Sequence, residues 1–245
     1  MSDPESPAPD FSVAGQRVLV TGASRGIGRA LCIAFAAAGA DVVGVSRERP
    51  GVAGIEWVPG DLSDRAQGDQ IVERFADQVD SLVCNAGIAA RAPAEDHSDA
   101  DWDGVLEVNL SSHFRLVRGI GKGMLARRQG NVVWIGSMMS FQGGRDVISY
   151  TASKSAAIGV VRALANEWAG RGVRVNAITP GYVTTDLTSG THGVPERRAA
   201  IEARIPAGRW GDPRDVAGAA IFLCSPAASY VHGVALPVDG GWLAR

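Results

Sequence analysis

Short apolar runs rich in β-branched residues alternate with longer helix-prone stretches along almost the whole chain, and that alternation leaves few folds open. Arg17–Val20, Asp41–Val45, Ile55–Val58, Ser81–Val83, Asn131–Ile135 and Arg174–Ala177 read as strands. Helical stretches fall between them, at about Arg29–Ala38, Asp64–Gln78, Asp101–Arg128 and Ser149–Trp168. Strand–helix–strand repetition implies parallel strands joined by right-handed crossovers, so the expected fold is α/β, a doubly wound parallel sheet. Ligands of such sheets bind outside the carboxyl ends of the strands. A chain of 245 residues is long enough to bury the core of one domain. Residues 1–10 are proline-rich and polar and read as a flexible tail, leaving 11–245 as a single domain. The stretch 182–208 breaks the alternation and reads as a small lid over the substrate site.

Charge and composition exclude several classes. Lys and Arg number 24 against 26 acidic residues, a net charge of −2, so no basic field argues for nucleic acid. No apolar run is long enough to span a bilayer and no basic-then-apolar leader opens the sequence, so the expectation is a cytoplasmic protein without a membrane partner. Cys32, Cys84 and Cys224 sit in apolar surroundings without metal-ligand spacing and read as buried free thiols. No metal site is expected.

Two motifs carry chemistry. Thr21-Gly22-Ala23-Ser24-Arg25-Gly26-Ile27-Gly28 joins the first strand to the first helix. Glycines let a ligand approach the backbone, and a helix N-terminus offers free N–H groups and positive dipole to a phosphate. The spacing differs from the common dinucleotide fingerprint, but the strand–turn–helix context of a Rossmann nucleotide site is met. Tyr150-Thr151-Ala152-Ser153-Lys154 puts a phenol and an ammonium four residues apart, on one face of a helix. A free tyrosine loses its proton near pH 10, and an adjacent positive charge lowers that value toward the range of a general acid/base. The spacing alone is common; its company gives it meaning.

Together these two motifs resemble the short-chain dehydrogenase/reductase family, and the likeness runs from Val18 to the C-terminus. Cys84-Asn85-Ala86-Gly87 is similar to the family's N-A-G turn, and Val108-Asn109-Leu110 to the segment with its catalytic asparagine. The resemblance implies an NAD(P)-dependent enzyme interconverting a secondary alcohol and a ketone. Its catalytic set would be Asn109, Ser137, Tyr150 and Lys154. Tyr150 would be the general acid/base, and Lys154 would lower its pKa and bind the nicotinamide ribose. Ser137 would donate to the substrate oxygen, and Asn109 would hold a water in the proton relay. The cofactor would lie on Gly22, Ser24, Arg25, Gly26, Ile27 and Gly28, on Asp61 and Leu62, and on Asn85, Ala86 and Gly87. Tyr150 and Lys154 join them, with Pro180, Gly181, Val183 and Thr185 on the nicotinamide side. Ser63 competes for the cap of the helix from Asp64, which would leave Asp61 free for adenine.

Cofactor choice rests on Val45-Ser46-Arg47. An NAD site usually carries an acid after the second strand; here Ser46 holds that place, and Arg47 can pair with a 2′-phosphate. NADP is the preferred expectation, with NAD kept open because Glu48 adjoins Arg47. Ser140-Phe141-Gln142-Gly143-Gly144, Arg204 to Gly211 and the ending from Val238 resemble the 2-deoxy-D-gluconate 3-dehydrogenase branch, also described as 2-dehydro-3-deoxy-D-gluconate 5-dehydrogenases. That likeness implies a sugar-acid substrate. Substrate contacts would come from Ser137, Tyr150, Gln142, Arg145 and His192. A 3-oxoacyl-thioester reductase, a gluconate 5-dehydrogenase and a non-catalytic nucleotide-binding regulator are the alternatives. The family likeness also implies a homotetramer.

Overall fold

The structure is a computed structural model that describes residues 8–245. In chain order it runs β1 (Arg17–Thr21), α1 (Gly26–Ala37), β2 (Asp41–Ser46), β3 (Glu56–Pro59), α2 (Arg65–Phe75), β4 (Ser81–Cys84), α3 (Asp99–Leu106), α4 (Ser112–Ala126) and β5 (Gly130–Ile135). It continues through α5 (Ile148–Trp168), β6 (Val173–Pro180), the short α6 (Ser189–His192), α7 (Pro195–Glu202), α8 (Pro213–Cys224) and β7 (Ala235–Val238). The strands form one sheet in the order β3-β2-β1-β4-β5-β6-β7, and every neighbouring pair is parallel.

Strands buried on both faces explain the near-continuous apolar runs. Alternate side chains feed opposite layers. Leu19, Val43 and Val45 pack with α2, α4 and α5, around Phe75, Met124 and Trp168. Val18, Val20 and Val42 pack with α1 and α8, around Phe35 and Leu223. A third, smaller cluster of Met138, Ile205, Trp210 and Trp242 lies under residues 182–211.

Four features differ from the sequence reading. The first helix starts at Gly26, three residues early, because the glycine turn itself supplies its opening turn. The single helix expected over Asp101–Arg128 is α3 and α4 joined by a π turn at Glu107–Ser111. The helix α8 and the edge strand β7 lay outside the expected elements; β7 is short, only partly buried and interrupted by Pro237, so it lacks a clear strand pattern. Of the expected tail 1–10, residues 1–7 lie outside the described residues, while the Asp10 carbonyl accepts from Ala227 N at 2.7 Å and so is tied to the body.

The connection reverses direction between β1 and β4: β2 and β3 build outward on one side, β4 onward on the other. That switch point opens a crevice at the carboxyl edge, and both glycine-containing turns lie in it.

Candidate active site

The floor of the crevice is locked by Thr21, the last residue of β1. Its Oγ accepts from Asn85 N (2.9 Å) and Ala86 N (3.0 Å), while Asn85 Nδ2 donates to Thr21 O at 2.8 Å. The turns after β1 and β4 are therefore stitched together. Gly22 has φ 69°, a left-handed conformation that suits glycine. A Cβ at Gly28 would collide with Gly22 O and Asn85 Nδ2. Among the described residues α1 has no side-chain cap and no acid in its first turn, so its N–H groups face the crevice unopposed. Ser24 and Ile27 are half-buried here, and Arg25 is exposed with its guanidinium 3.4 Å from Asp186.

Asn109 is fully buried inside the π turn. Such turns re-aim side chains that a regular helix would leave elsewhere. Its Oδ1 accepts from Ile88 N (2.8 Å), and its Nδ2 donates to Ile88 O (2.9 Å) and Ser153 Oγ (3.1 Å). Ser153 in turn donates to Tyr150 O at 2.8 Å. The amide is thus wholly engaged with protein. Its main-chain carbonyl faces His113 Nδ1 at 3.3 Å.

His113 is a residue that sequence reasoning missed. It is fully buried, its Nε2 lies 3.0 Å from Thr21 Oγ, and its ring stands edge-on to Trp134. Burial, aided by the charge of Lys154, pushes its pKa down to about 3, so it is neutral. With Nδ1 carrying the proton toward Asn109 O, Nε2 accepts from Thr21. The only signal in the sequence was a lone histidine four residues after Asn109 on a helical stretch.

Ser137 follows β5 and caps a short 3-10 turn, its Oγ accepting from Met139 N at 3.1 Å. That leaves its own proton free to donate. Lys154, buried on α5, donates from Nζ to Ile135 O at 2.7 Å and stands 5.6 Å from the centre of the Tyr150 ring. Burial lowers its pKa to about 8. Burial raises the Tyr150 phenol; a hydrogen bond with Ser137 and the charge of Arg91 oppose that rise. Lys154 Nζ is anchored by Ile135 O, and Arg91 is a further cation whose charge favours the Tyr150 phenolate. A Cβ on Gly87 would lie 3.4 Å from Asn109 Oδ1 and 3.7 Å from Lys154 Nζ, so the bare glycine keeps open the space above both.

The other expected contacts sort clearly. Asp64, and neither Ser63 nor Asp61, caps α2 by accepting from Ala66 N at 2.9 Å. Ser63 instead donates from N and Oγ to Asp61, holding its carboxyl below the usual range, with Arg47 Nη1 3.9 Å away. The Leu62 side chain is buried in the core, so only its backbone can face the crevice. Ser46 donates to Glu48 O at 2.7 Å. Gly181 N donates to Val238 O, and a Cβ there would strike Asp239. Thr185 abuts Gly26: a Cβ on Gly26 would stand 3.3 Å from its methyl. Val183 pairs with Gly211 as an isolated bridge. Gln142 is half-buried beside Ser140; Arg145 is exposed and is not among the charges acting on Tyr150. The His192 ring stands edge-on to Trp210 with centroids 5.0 Å apart. Among the described residues no cluster of His, Cys, Asp or Glu could hold a metal, and no helix is long and apolar enough to cross a membrane. Cys32, Cys84 and Cys224 are buried and free, and burial pushes all three thiols up, which makes them unreactive.

A half-buried tyrosine, a buried lysine, a serine hydroxyl and a glycine-lined crevice meet at one sheet edge, an arrangement suited to moving a proton while a bound cofactor moves a hydride. The family model described as Enoyl-(Acyl carrier protein) reductase matches residues 22–243. A 2-dehydro-3-deoxy-D-gluconate 5-dehydrogenase of Pseudoalteromonas atlantica is 49% identical, covering 96% of this chain and 98% of that one. A solved structure described as an NAD(P) dependent gluconate 5-dehydrogenase from Beutenbergia cavernae, with bound NADP, superposes with a TM-score of 0.93 at 51% identity, over 97% of this chain and 100% of the other. One described as a 2-deoxy-d-gluconate 3-dehydrogenase from Agrobacterium tumefaciens, also with NADP, gives 0.92 at 46% identity, over 98% and 100%.

Proposed function

This chain belongs to the short-chain dehydrogenase/reductase family, and from that premise we propose that it interconverts a secondary alcohol and a ketone on a sugar acid such as 2-deoxy-D-gluconate, 2-dehydro-3-deoxy-D-gluconate or gluconate, with NADP(H). The observation that carries the reading is the set of buried Ser137 and Lys154 with half-buried Tyr150, in a chain whose relatives are named for that chemistry.

The crevice fits the cofactor. Its glycines are positions a Cβ would fill, and α1 offers its first-turn N–H groups to the pyrophosphate. No carboxylate stands at Ser46, and Arg47 and Arg25 are exposed cations on the adenosine side, which supports NADP over NAD. When bound, NADP(H) supplies or takes up the hydride. Tyr150 Oη receives the alcohol proton on oxidation and returns it on reduction. Ser137 Oγ–H donates to the substrate oxygen, because Met139 N already occupies its lone-pair side. Lys154 keeps Nζ protons beyond the one given to Ile135 O, and these would serve the ribose hydroxyls, a role that the missing side chain at Gly87 supports. Asn109 fixes the Ile88 backbone and, through Ser153, the start of α5.

Within the same proposal, residues 182–208 form the lid, Gln142 and His192 bind substrate hydroxyls, and the protein works as a cytoplasmic homotetramer. Reduced buried cysteines suit that compartment, and the exposed Phe114, Ile148 and Tyr230 are apolar surface for subunit contacts. Light scattering on the purified protein tests the tetramer.

Initial-rate absorbance at the reduced-nicotinamide band tests the function, with 2-deoxy-D-gluconate, gluconate and a 3-oxoacyl thioester, each with both cofactors. Turnover of a sugar acid with NADP is expected. Reduction of the thioester alone would overturn the substrate class; cofactor binding with no turnover of any carbonyl would revive the regulator.

A further inference from the structure

His113 joins the two halves of the site through the floor of the crevice. It lies at the start of α4, four residues after Asn109, with its side chain fully buried. Nδ1 stands 3.3 Å from Asn109 O, and Nε2 stands 3.0 Å from Thr21 Oγ, 92 residues away in sequence. A carbonyl can only accept, so Nδ1 carries the proton and Nε2 is the acceptor. Thr21 must then donate to Nε2. A hydroxyl has one proton and two lone pairs, and the lone pairs of Thr21 serve Asn85 N (2.9 Å) and Ala86 N (3.0 Å). The donors therefore run one way, from the turn after β4 through Thr21 and the imidazole to the carbonyl of the π turn. Each bond in such a buried chain polarises the next.

Packing alone does not call for a histidine at this place. Its ring lies edge-on to Trp134, which belongs to the core under the sheet. Thr21 Oγ has one other acceptor within reach, Val83 O at 3.4 Å. With an apolar side chain at 113 the hydroxyl would turn to that longer bond, and the lone pairs that face Asn85 N and Ala86 N would turn with it. The imidazole thus decides where the Thr21 hydroxyl points.

We propose that His113 is a positioning residue with two separable duties. Nε2 holds the 85–87 turn in shape for the cofactor. Nδ1–H holds the Asn109 segment in register with that turn and, through Asn109 Nδ2 and Ser153, the start of α5 that carries Tyr150. The inference rests on the function proposed above and deepens it. The imidazole acts only through Thr21 and Asn109, so its loss should reach the reaction by two routes that can be told apart.

The test uses the full chain as wild type, His113→Asn, His113→Gln and His113→Leu. Asparagine places an amide nitrogen where Nδ1 stands, and glutamine places an amide oxygen where Nε2 stands. His113→Asn keeps the donor to Asn109 O and loses the acceptor for Thr21. Its main effect should be NADPH binding weakened about 5- to 10-fold in a fluorescence titration, the range of one hydrogen bond. His113→Gln keeps the acceptor and loses the donor. Its main effect should be a loss of about 5- to 10-fold in kcat, on whichever of 2-deoxy-D-gluconate and gluconate wild type turns over faster. His113→Leu should show both losses; if it does not fold, the Asn and Gln variants decide. Rates and affinities are taken per folded molecule, with circular dichroism and the melting temperature measured beside them. A lowered melting temperature with wild-type kcat and NADPH affinity in both variants would make His113 a residue of stability alone. Equal losses of both quantities in the two variants would mean that its nitrogens have no separate duties. Either result overturns the inference and leaves the proposed function intact. Wild type that binds no NADPH, or turns over neither sugar acid, overturns that function and this inference with it.

Discussion

Beneath the crevice, Asn109 and Lys154 are buried and their polar side-chain atoms are committed to Ile88, Ser153 and Ile135. Above it, residues 184–204 are mostly exposed, carry two short helices with no fully buried side chain, and reach the glycine turn through one exposed ion pair, Arg25–Asp186. Under the proposed function the two regions have different tasks. A proton must be transferred at a fixed point, and fixed points need rotamers locked by packing and hydrogen bonds. Substrate must enter and leave, and segments that open come from the least stable parts of a fold.

That contrast can be broken. The largest effect should come from the floor: Tyr150→Phe should bind NADPH as wild type does and lose at least about 100-fold in kcat, the lower range of general acid/base catalysis. Stopped-flow fluorescence beside steady-state rates checks both halves, and normal turnover would mean that the proton passes elsewhere. Gly28→Ala comes next. Its methyl would collide with Gly22 O, so unfolding by urea should show a loss of about 1–3 kcal/mol or more, as overpacking does.

His113 sharpens the comparison through pH. Its folded pKa, about 3, lies below the ordinary value of 6.5, so the folded state resists its protonation. The stability it contributes is complete above about pH 6.5 and drains as pH falls toward 3. From pH 7 to pH 4.5 this group alone should cost about 2.5 kcal/mol. His113→Asn, which titrates nowhere in that range, should flatten the acid limb of the urea midpoint. An unchanged limb would show that His113 does not control it. The smallest effect belongs to the upper region: Asp186→Ala removes an exposed pair and should change stability by under about 1 kcal/mol, while altering the KM for cofactor or substrate. A large loss of stability there would show that the upper segment is as much a part of the core as the floor.

The floor was the legible region. Strand–turn–helix at Gly22–Gly28 and the Tyr150/Lys154 spacing are local patterns, and local patterns survive in one dimension. Ser137 was legible because it ends an apolar strand. What stayed hidden depends on contacts distant in sequence. His113 looks like a stray helical histidine until β1 brings Thr21 against it. The cap of α2 was assigned to the wrong residue because Ser63 and Asp64 are both good caps, and only the turn geometry chooses between them. Spacing says that Lys154 and Tyr150 share a face, but not that the ammonium also donates to Ile135 O.

Residues 182–184 and 211 meet through a pair of main-chain hydrogen bonds, Thr184 N to Gly211 O at 2.9 Å and Gly211 N to Tyr182 O at 2.8 Å. The chain between them leaves and rejoins the sheet at this junction, and Ile205, Ala207 and Trp210 tie its far end to Met138, Gly240 and Trp242. The entropy of bringing the two ends together depends only logarithmically on the length between them. The segment can thus be shortened, lengthened or exchanged with little penalty to the sheet beneath. Such a junction lets the exposed part of the segment vary in length while the register of the sheet is kept.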